Sequence, residues 1–197
     1  MGLNLIKCNW EGVQASEPGE FTRLPAGAYV CKIYDAHLDG IKGKGLLFTL
    51  DVDIVEGDFA GFFEKRNSSE RGWDFNARFK RYAVNAEKLV TPQFKGLIQM
   101  LEKQNPNFKF DPSNFDPAAF RDLICGFTFG EREYLDKKTD EIKLAVSIRF
   151  PVPAEKVRAG EVKTPPLEKL PDYLRPVKQA DDSSFDGSPV DDDDFPF

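Results

Sequence analysis

The sequence predicts a mainly β domain of five strands, with one helix between the third and the fourth. Three observations carry this. Segments 46–56 and 142–150 alternate apolar and polar residues at the two-residue period of a strand. Segment 92–104 spaces its apolar residues at three and four, the period of a helix. From residue 151 onward prolines crowd the chain and apolar periodicity stops. The 197 residues suit one domain with appendages, large enough to form a core without disulfide staples.

Residues 1–23 read as a lead-in, with a turn at Pro18-Gly19. Leu24-Pro25-Ala26-Gly27 turns into a first strand over 28–38, rich in aromatic and β-branched residues. A Gly/Lys loop, Asp39 to Gly45, leads to the second strand, 46–56. There Leu46, Phe48, Leu50, Val52 and Ile54 face inward, and Thr49, Asp51 and Asp53 lie on a wet face. After Gly57-Asp58, residues 59–67 read as the third strand, and 68–90 show no clear period. The helix over 92–104 buries Phe94, Leu97, Ile98 and Leu101. Thr91 is its N-cap, Pro92 its first residue and Asn105-Pro106 its stop. A short helix is expected over 117–124, a fourth strand over 126–135 and a fifth over 142–150, with a polar hairpin loop between the strands. In the fifth, Ile142, Leu144, Val146, Ile148 and Phe150 face in, and Lys143, Ser147 and Arg149 face out. This is the order of an OB-fold, a five-stranded Greek-key barrel that binds nucleic acids and sugars. The OB domain then spans 24–150, and 151–197 is a flexible linker with an acidic, disordered tail.

Charge divides the chain. All 27 Lys/Arg and 26 of the 33 Asp/Glu fall in residues 1–178, whereas 179–197 hold seven Asp and no base. The acidic net charge of −6 thus belongs to a tail and does not argue against a nucleic-acid partner for the body. No run of about 18 apolar residues exists, so no membrane span is expected. Three scattered cysteines, Cys8, Cys31 and Cys125, and no signal-like start point to a soluble protein of a reducing cytoplasm.

The last seven residues are Asp191-Asp192-Asp193-Asp194-Phe195-Pro196-Phe197. Phe197 offers a ring and the terminal carboxylate together, which a partner can bury and clamp with Arg or Lys. Pro196 limits the free peptide's conformations, and the aspartates attract a basic rim. This run resembles the acidic tip of bacterial single-stranded-DNA-binding proteins, with Phe195 where that tip commonly has Ile. The resemblance implies docking of host or phage replication and repair proteins. The body is similar to a group of bacteriophage single-stranded-DNA-binding proteins with an OB-fold. The similarity lies in Leu24-Pro25-Ala26-Gly27-Ala28-Tyr29-Val30-Cys31-Lys32-Ile33, in the helix from Phe94-Lys95-Gly96-Leu97-Ile98 to Asn105-Pro106, and in Gly126 to Tyr134.

Sequence-independent binding of single strands needs cations for phosphates and exposed rings for bases. Residues 65–95 supply eight basic against three acidic side chains. The candidates there are Lys65, Arg66, Arg71, Trp73, Phe75, Arg78, Phe79, Lys80, Arg81 and Tyr82, with Phe94 assigned to the helix core. Lys42 and Lys44 in the first loop, and Arg132, Tyr134 and Lys143 around the last hairpin, complete the set. No catalytic constellation, metal site or cofactor motif is expected, and His37 reads as structural. Two rivals stand beside DNA coating. One is a divalent-metal nuclease or recombination enzyme using Asp51 and Asp53. The other is a tip mimic that sequesters host repair enzymes.

Overall fold

The computed structural model describes residues 23–66 and 73–175. Five strands form one antiparallel sheet: β1 (Gly27–Ile41), β2 (Gly45–Ile54), β3 (Arg78–Val84), β4 (Ile124–Asp136) and β5 (Glu141–Val152). Their order is β3-β2-β1-β4-β5. The hydrogen-bond ladder is not closed, although β5 comes into contact with β3 and with the turn before it. β1 is shared between two partners. Gly27 to Lys32 pair with β4, and Cys31 to Ile41 pair with β2. Register shifts at Ile33/Asp35 and Phe127/Phe129 add the twist that curls such a sheet around a core.

The helix α1 (Pro92–Gln104) forms where the periodicity places it. Thr91 Oγ1 accepts from Phe94 N–H at 3.2 Å, and Pro92 opens the first turn. Phe94, Leu97, Ile98 and Leu101 are its buried face. Asn105 ends it and ties it to β4. Its Nδ2 donates to Leu101 and Ile124 carbonyls at 2.9 and 3.0 Å, and its Oδ1 accepts from Ile124 N–H at 2.9 Å. Phe48, Phe94, Phe110, Phe115 and Phe120 form an aromatic cluster under this helix, with Phe48 to Phe94 ring centres 5.2 Å apart. The expected short helix is a single 3-10 turn, Pro117–Phe120. No helix among the described residues is long and apolar enough to cross a membrane.

Four expectations are corrected. The third strand is Arg78–Val84, not 59–67. Gly57 and Gly61 adopt φ of 81° and 73°, turning the chain after β2, so Phe63 enters the core from a loop and stacks on Phe129 at 5.6 Å. The face of β2 carrying Thr49, Asp51 and Asp53 is buried, because β2 lies inside the sheet and side chains from elsewhere cover it. On β5, Ile142, Leu144 and Phe150 are exposed while Val146 and Ser147 are buried. There the β4–β5 hairpin has run past its pairing with β1, and the Phe127/Phe129 shift breaks the simple alternation.

The fourth correction concerns residues 151–175, which pack on the domain. A short helix α2 (Ala154–Arg158) lies against β1 and β4. The Val157 side chain and the Val152 carbonyl occupy the space a Cβ on Gly126 would need. Beyond it Glu168 pairs in parallel with Arg132. Glu168 N–H donates to Glu131 C=O at 3.0 Å, and Glu133 N–H to Glu168 C=O at 2.8 Å. Backbone bonds and ion pairs, not apolar periodicity, order this stretch. Of the linker and tail, residues 176–197 lie outside the described residues, as do 1–22 of the lead-in.

Cys31 and Cys125 face each other across β1 and β4 and are free and fully buried. Burial pushes both thiols up, Cys125 to about 12. We expect neither to react with a thiol reagent at pH 8 until the protein unfolds, measured by mass spectrometry of alkylated peptides with and without denaturant. A folded value above the unfolded one favours the fold fully below the ordinary thiol range. That contribution is lost as pH climbs toward about 12.

Candidate nucleic-acid interface

Residues opposite one another across an antiparallel pair share a face. The outer face of β1, β2 and β3 therefore carries three rows: Arg78, Asp51 and Asp35; Lys80, Thr49 and His37; Tyr82, Leu47 and Asp39.

The first row neutralises itself. Arg78 Nε donates to Asp51 Oδ1 at 2.7 Å and its Nη2 to Asp51 Oδ2 at 3.1 Å, a bidentate pair with Asp51 only 4% exposed. This pair holds the Arg78 guanidinium above its ordinary pKa. Arg121 donates to Asp35 Oδ1 at 3.2 and 3.3 Å. His37 Nε2 stands 3.6 Å from Asp35 and 3.7 Å from Asp51. Asp53, expected beside Asp51 on a wet surface, instead accepts from Ile54 and Phe63 N–H at 2.8 and 2.9 Å. Both carboxylates of the proposed metal pair thus hold the fold together.

The second row meets an exposed ring. Phe75 opens a 3-10 turn, Phe75–Ala77, capped by Asp74, whose carboxylate accepts from Asn76 N–H at 2.9 Å. Its ring is 60% exposed. Lys80 Nζ lies 5.3 Å from the ring centre and Arg132 Cζ 5.8 Å, within cation–π range. Arg132 Nε is buried and has no hydrogen-bond partner among the described residues. An aromatic face is thus flanked by two cations that come from different parts of the sheet.

The third row borders the β1–β2 turn. Lys42 and Lys44 are exposed there, and Gly45 brings this turn against the Val84 and Asn85 carbonyls at the end of β3. Tyr82 is partly exposed on that strand. Of the candidates, Lys80 and Arg132 meet at Phe75, Arg78 and Tyr82 share the face of β3 that carries Lys80, and Lys42 and Lys44 stand on an adjoining turn.

Other candidates do not join them. Phe79 is buried in the core, on the opposite face of β3 from Lys80, and Arg81 shares that face, 5.4 Å from its ring. Trp73 is 8% exposed and packs beneath Tyr34. Lys65 and Arg66 lie in the 3-10 turn Glu64–Arg66. Arg66 pairs with Asp74 at 3.5 Å and covers the Phe62 ring at 5.2 Å. Tyr134 and Lys143 are cross-strand partners on the β4–β5 hairpin. There Lys143 hydrogen-bonds Asp136, which raises the lysine's pKa and lowers the carboxylate's. Arg71 and the Asp191–Phe197 tip lie outside the described residues.

One side chain escaped the sequence reading. Tyr34 is 44% exposed and stacks on Trp73, with ring centres 4.3 Å apart and planes at 23°. Its signal was an aromatic residue on a strand, which alternation alone cannot separate from core. No protein-family model and no curated protein matches this chain.

Proposed function

We propose that the protein is a non-catalytic binder of single-stranded DNA, largely indifferent to sequence, that acts in phage replication, recombination or repair. The observation that carries the reading is Phe75, an exposed ring flanked by Lys80 and Arg132. A base would take the place of a cation over this ring, and the displaced cation would turn to a neighbouring phosphate. The architecture supports it. A five-stranded antiparallel sheet with a helix after the third strand, and with its two edge strands brought near each other, is compatible with the partly open barrel of an OB-fold. On the outer face of the sheet, the side chains of β1 and β3 that cover β2 would then form the binding surface. The C-terminal Asp-rich run ending in Phe195-Pro196-Phe197 adds a docking peptide for host or phage replication and repair proteins.

The test is fluorescence anisotropy with labelled single-stranded and duplex DNA over a salt series. It uses the full chain and a chain ending at Val190. Single strands are expected to bind more tightly, with affinity falling as salt rises. Phe75→Ala is expected to weaken binding by about 1–3 kcal/mol, and Lys80→Ala to flatten the log–log salt slope by about one. Loss of the tail's negative charge is expected to tighten binding at low salt, because the tail competes with DNA for cations. Equal affinity for duplex, or no binding by either chain, sinks the reading.

A further inference from the structure

We infer that Tyr34 is a second base-stacking platform, seated in a pocket that takes one nucleotide unit of the strand. The inference rests on the single-strand reading and extends it to a place no candidate residue marked.

Four observations converge. First, Tyr34 has no partner on β2: the register passes from Ile33↔Val52 to Asp35↔Asp51 and leaves it as the extra residue of a bulge. Bulges re-aim a side chain out of the regular pleat. Second, one face of its ring is stacked on buried Trp73, while the residue is 44% exposed. A ring fixed from behind loses little freedom when a base settles on its front. Third, a cavity of about 330 Å³ is lined by Lys32, Tyr34, Asp35, Arg121 and Asp122. That volume sits at the small end of ligand pockets, which suits a single nucleotide unit. Fourth, the far wall is held in place. Asp122 N–H donates to Ile33 C=O and Ile33 N–H to Leu123 C=O, both at 2.9 Å, with Asp122 in the left-handed region at φ 64°.

The lining balances two cations, Lys32 and Arg121, against two carboxylates, Asp35 and Asp122, and both cations keep N–H donors that a phosphodiester can take. Lys32 pairs with Asp122 at 3.3 Å, but that carboxylate is 82% exposed, so the pair is weak and the ammonium is free to turn to a phosphate. Arg121, held by Asp35, keeps further N–H donors at the pocket mouth. Trp73 and Phe75 are two residues apart. The short segment joining them links the Tyr34 platform on β1 to the Phe75 platform beside β3. A nucleic-acid strand that followed this segment would meet both rings.

The test uses the full chain and an oligo-dT in which single positions carry 5-iodouracil. After irradiation, mass spectrometry of the wild-type protein is expected to find a cross-link on Tyr34. Tyr34→Leu, which keeps an apolar cover on Trp73, is expected to lose about 5- to 100-fold in single-strand affinity, and Tyr34→Phe to stay within about twofold. A thermal melt checks that each variant is folded. If the wild type binds single strands but carries no Tyr34 cross-link, or if Tyr34→Leu binds as tightly as wild type, the inference is overturned and the Phe75 reading stands. If the wild type does not bind single strands at all, the proposed function falls and this inference with it.

Discussion

Gly45→Ala is expected to destabilise the fold by about 3–5 kcal/mol, read as a fall in the urea midpoint at unchanged slope. Two effects add. Gly45 sits at φ 104°, a conformation that residues with a Cβ rarely adopt. A Cβ there would also stand 2.1 Å from the Val84 carbonyl oxygen and 2.5 Å from that of Asn85. Both obstacles are backbone, so no side chain can swing aside. Gly43→Ala is the control. It too has positive φ, 74°, but nothing lies within 4 Å of the added Cβ, so its cost is expected near ~1 kcal/mol. Because Gly45 holds the turn bearing Lys42 and Lys44 against the end of β3, the variant is also expected to bind single strands more weakly than its stability alone explains, when measured well below its melting temperature.

Asp51→Ala is expected to cost about 3 kcal/mol, the low end of the range for removing one partner of a buried ion pair. Arg78 would keep its charge beside a buried surface with nothing to receive its two donors. It reaches water in part, with 30% of its side chain exposed, which moderates the loss. Asp51→Asn keeps the shape and one acceptor and is expected to cost less than alanine does. The same substitution speaks to the nuclease rival. Because Arg78 already occupies both Asp51 oxygens, millimolar magnesium or manganese is expected to leave the melting temperature of the wild type unchanged. A metal-dependent rise that Asp51→Asn abolishes would revive that rival.

These residues show how much of the molecule was legible in the sequence. α1 could be read to the residue because everything that defines it is local: a cap, a proline, four apolar positions and an Asn stop. β3 could not. Its inward residues, Phe79 and Ala83, stand in a stretch crowded with Arg and Lys, and the charges hid a period of two that is nonetheless present. Asp51 looked wet because its partner lies 27 residues away, and burial of a paired carboxylate is a property of the pair. The candidate site was half visible. Phe75, Lys80 and Tyr82 came from composition, and Arg132 from its place beside a hairpin. Tyr34 stayed hidden because a bulge is a mismatch between two strands, and neither strand's sequence records it. The ordering of 151–175 was missed for a related reason. It depends on Glu168 and Arg175 meeting β4, not on any pattern within the stretch.

The strap formed by those residues has a mechanical consequence. A protein that grips the C-terminus and pulls loads the sheet first through contacts on β4, not along the β5 backbone that leads into the strap. Force enters at Arg175, whose guanidinium holds Glu133 and the Leu170 carbonyl. It then reaches the two backbone bonds at Glu168, and only after those the helix α2 seated over Gly126. These contacts, with the Arg149–Glu168 ion pair that ties the strap to β5, carry the load before it reaches the β5 backbone at Val152. Traction on the tail is therefore met first by the strap and by β4 and β5, while β1–β3, the strands that would hold the nucleic acid, carry none of these contacts.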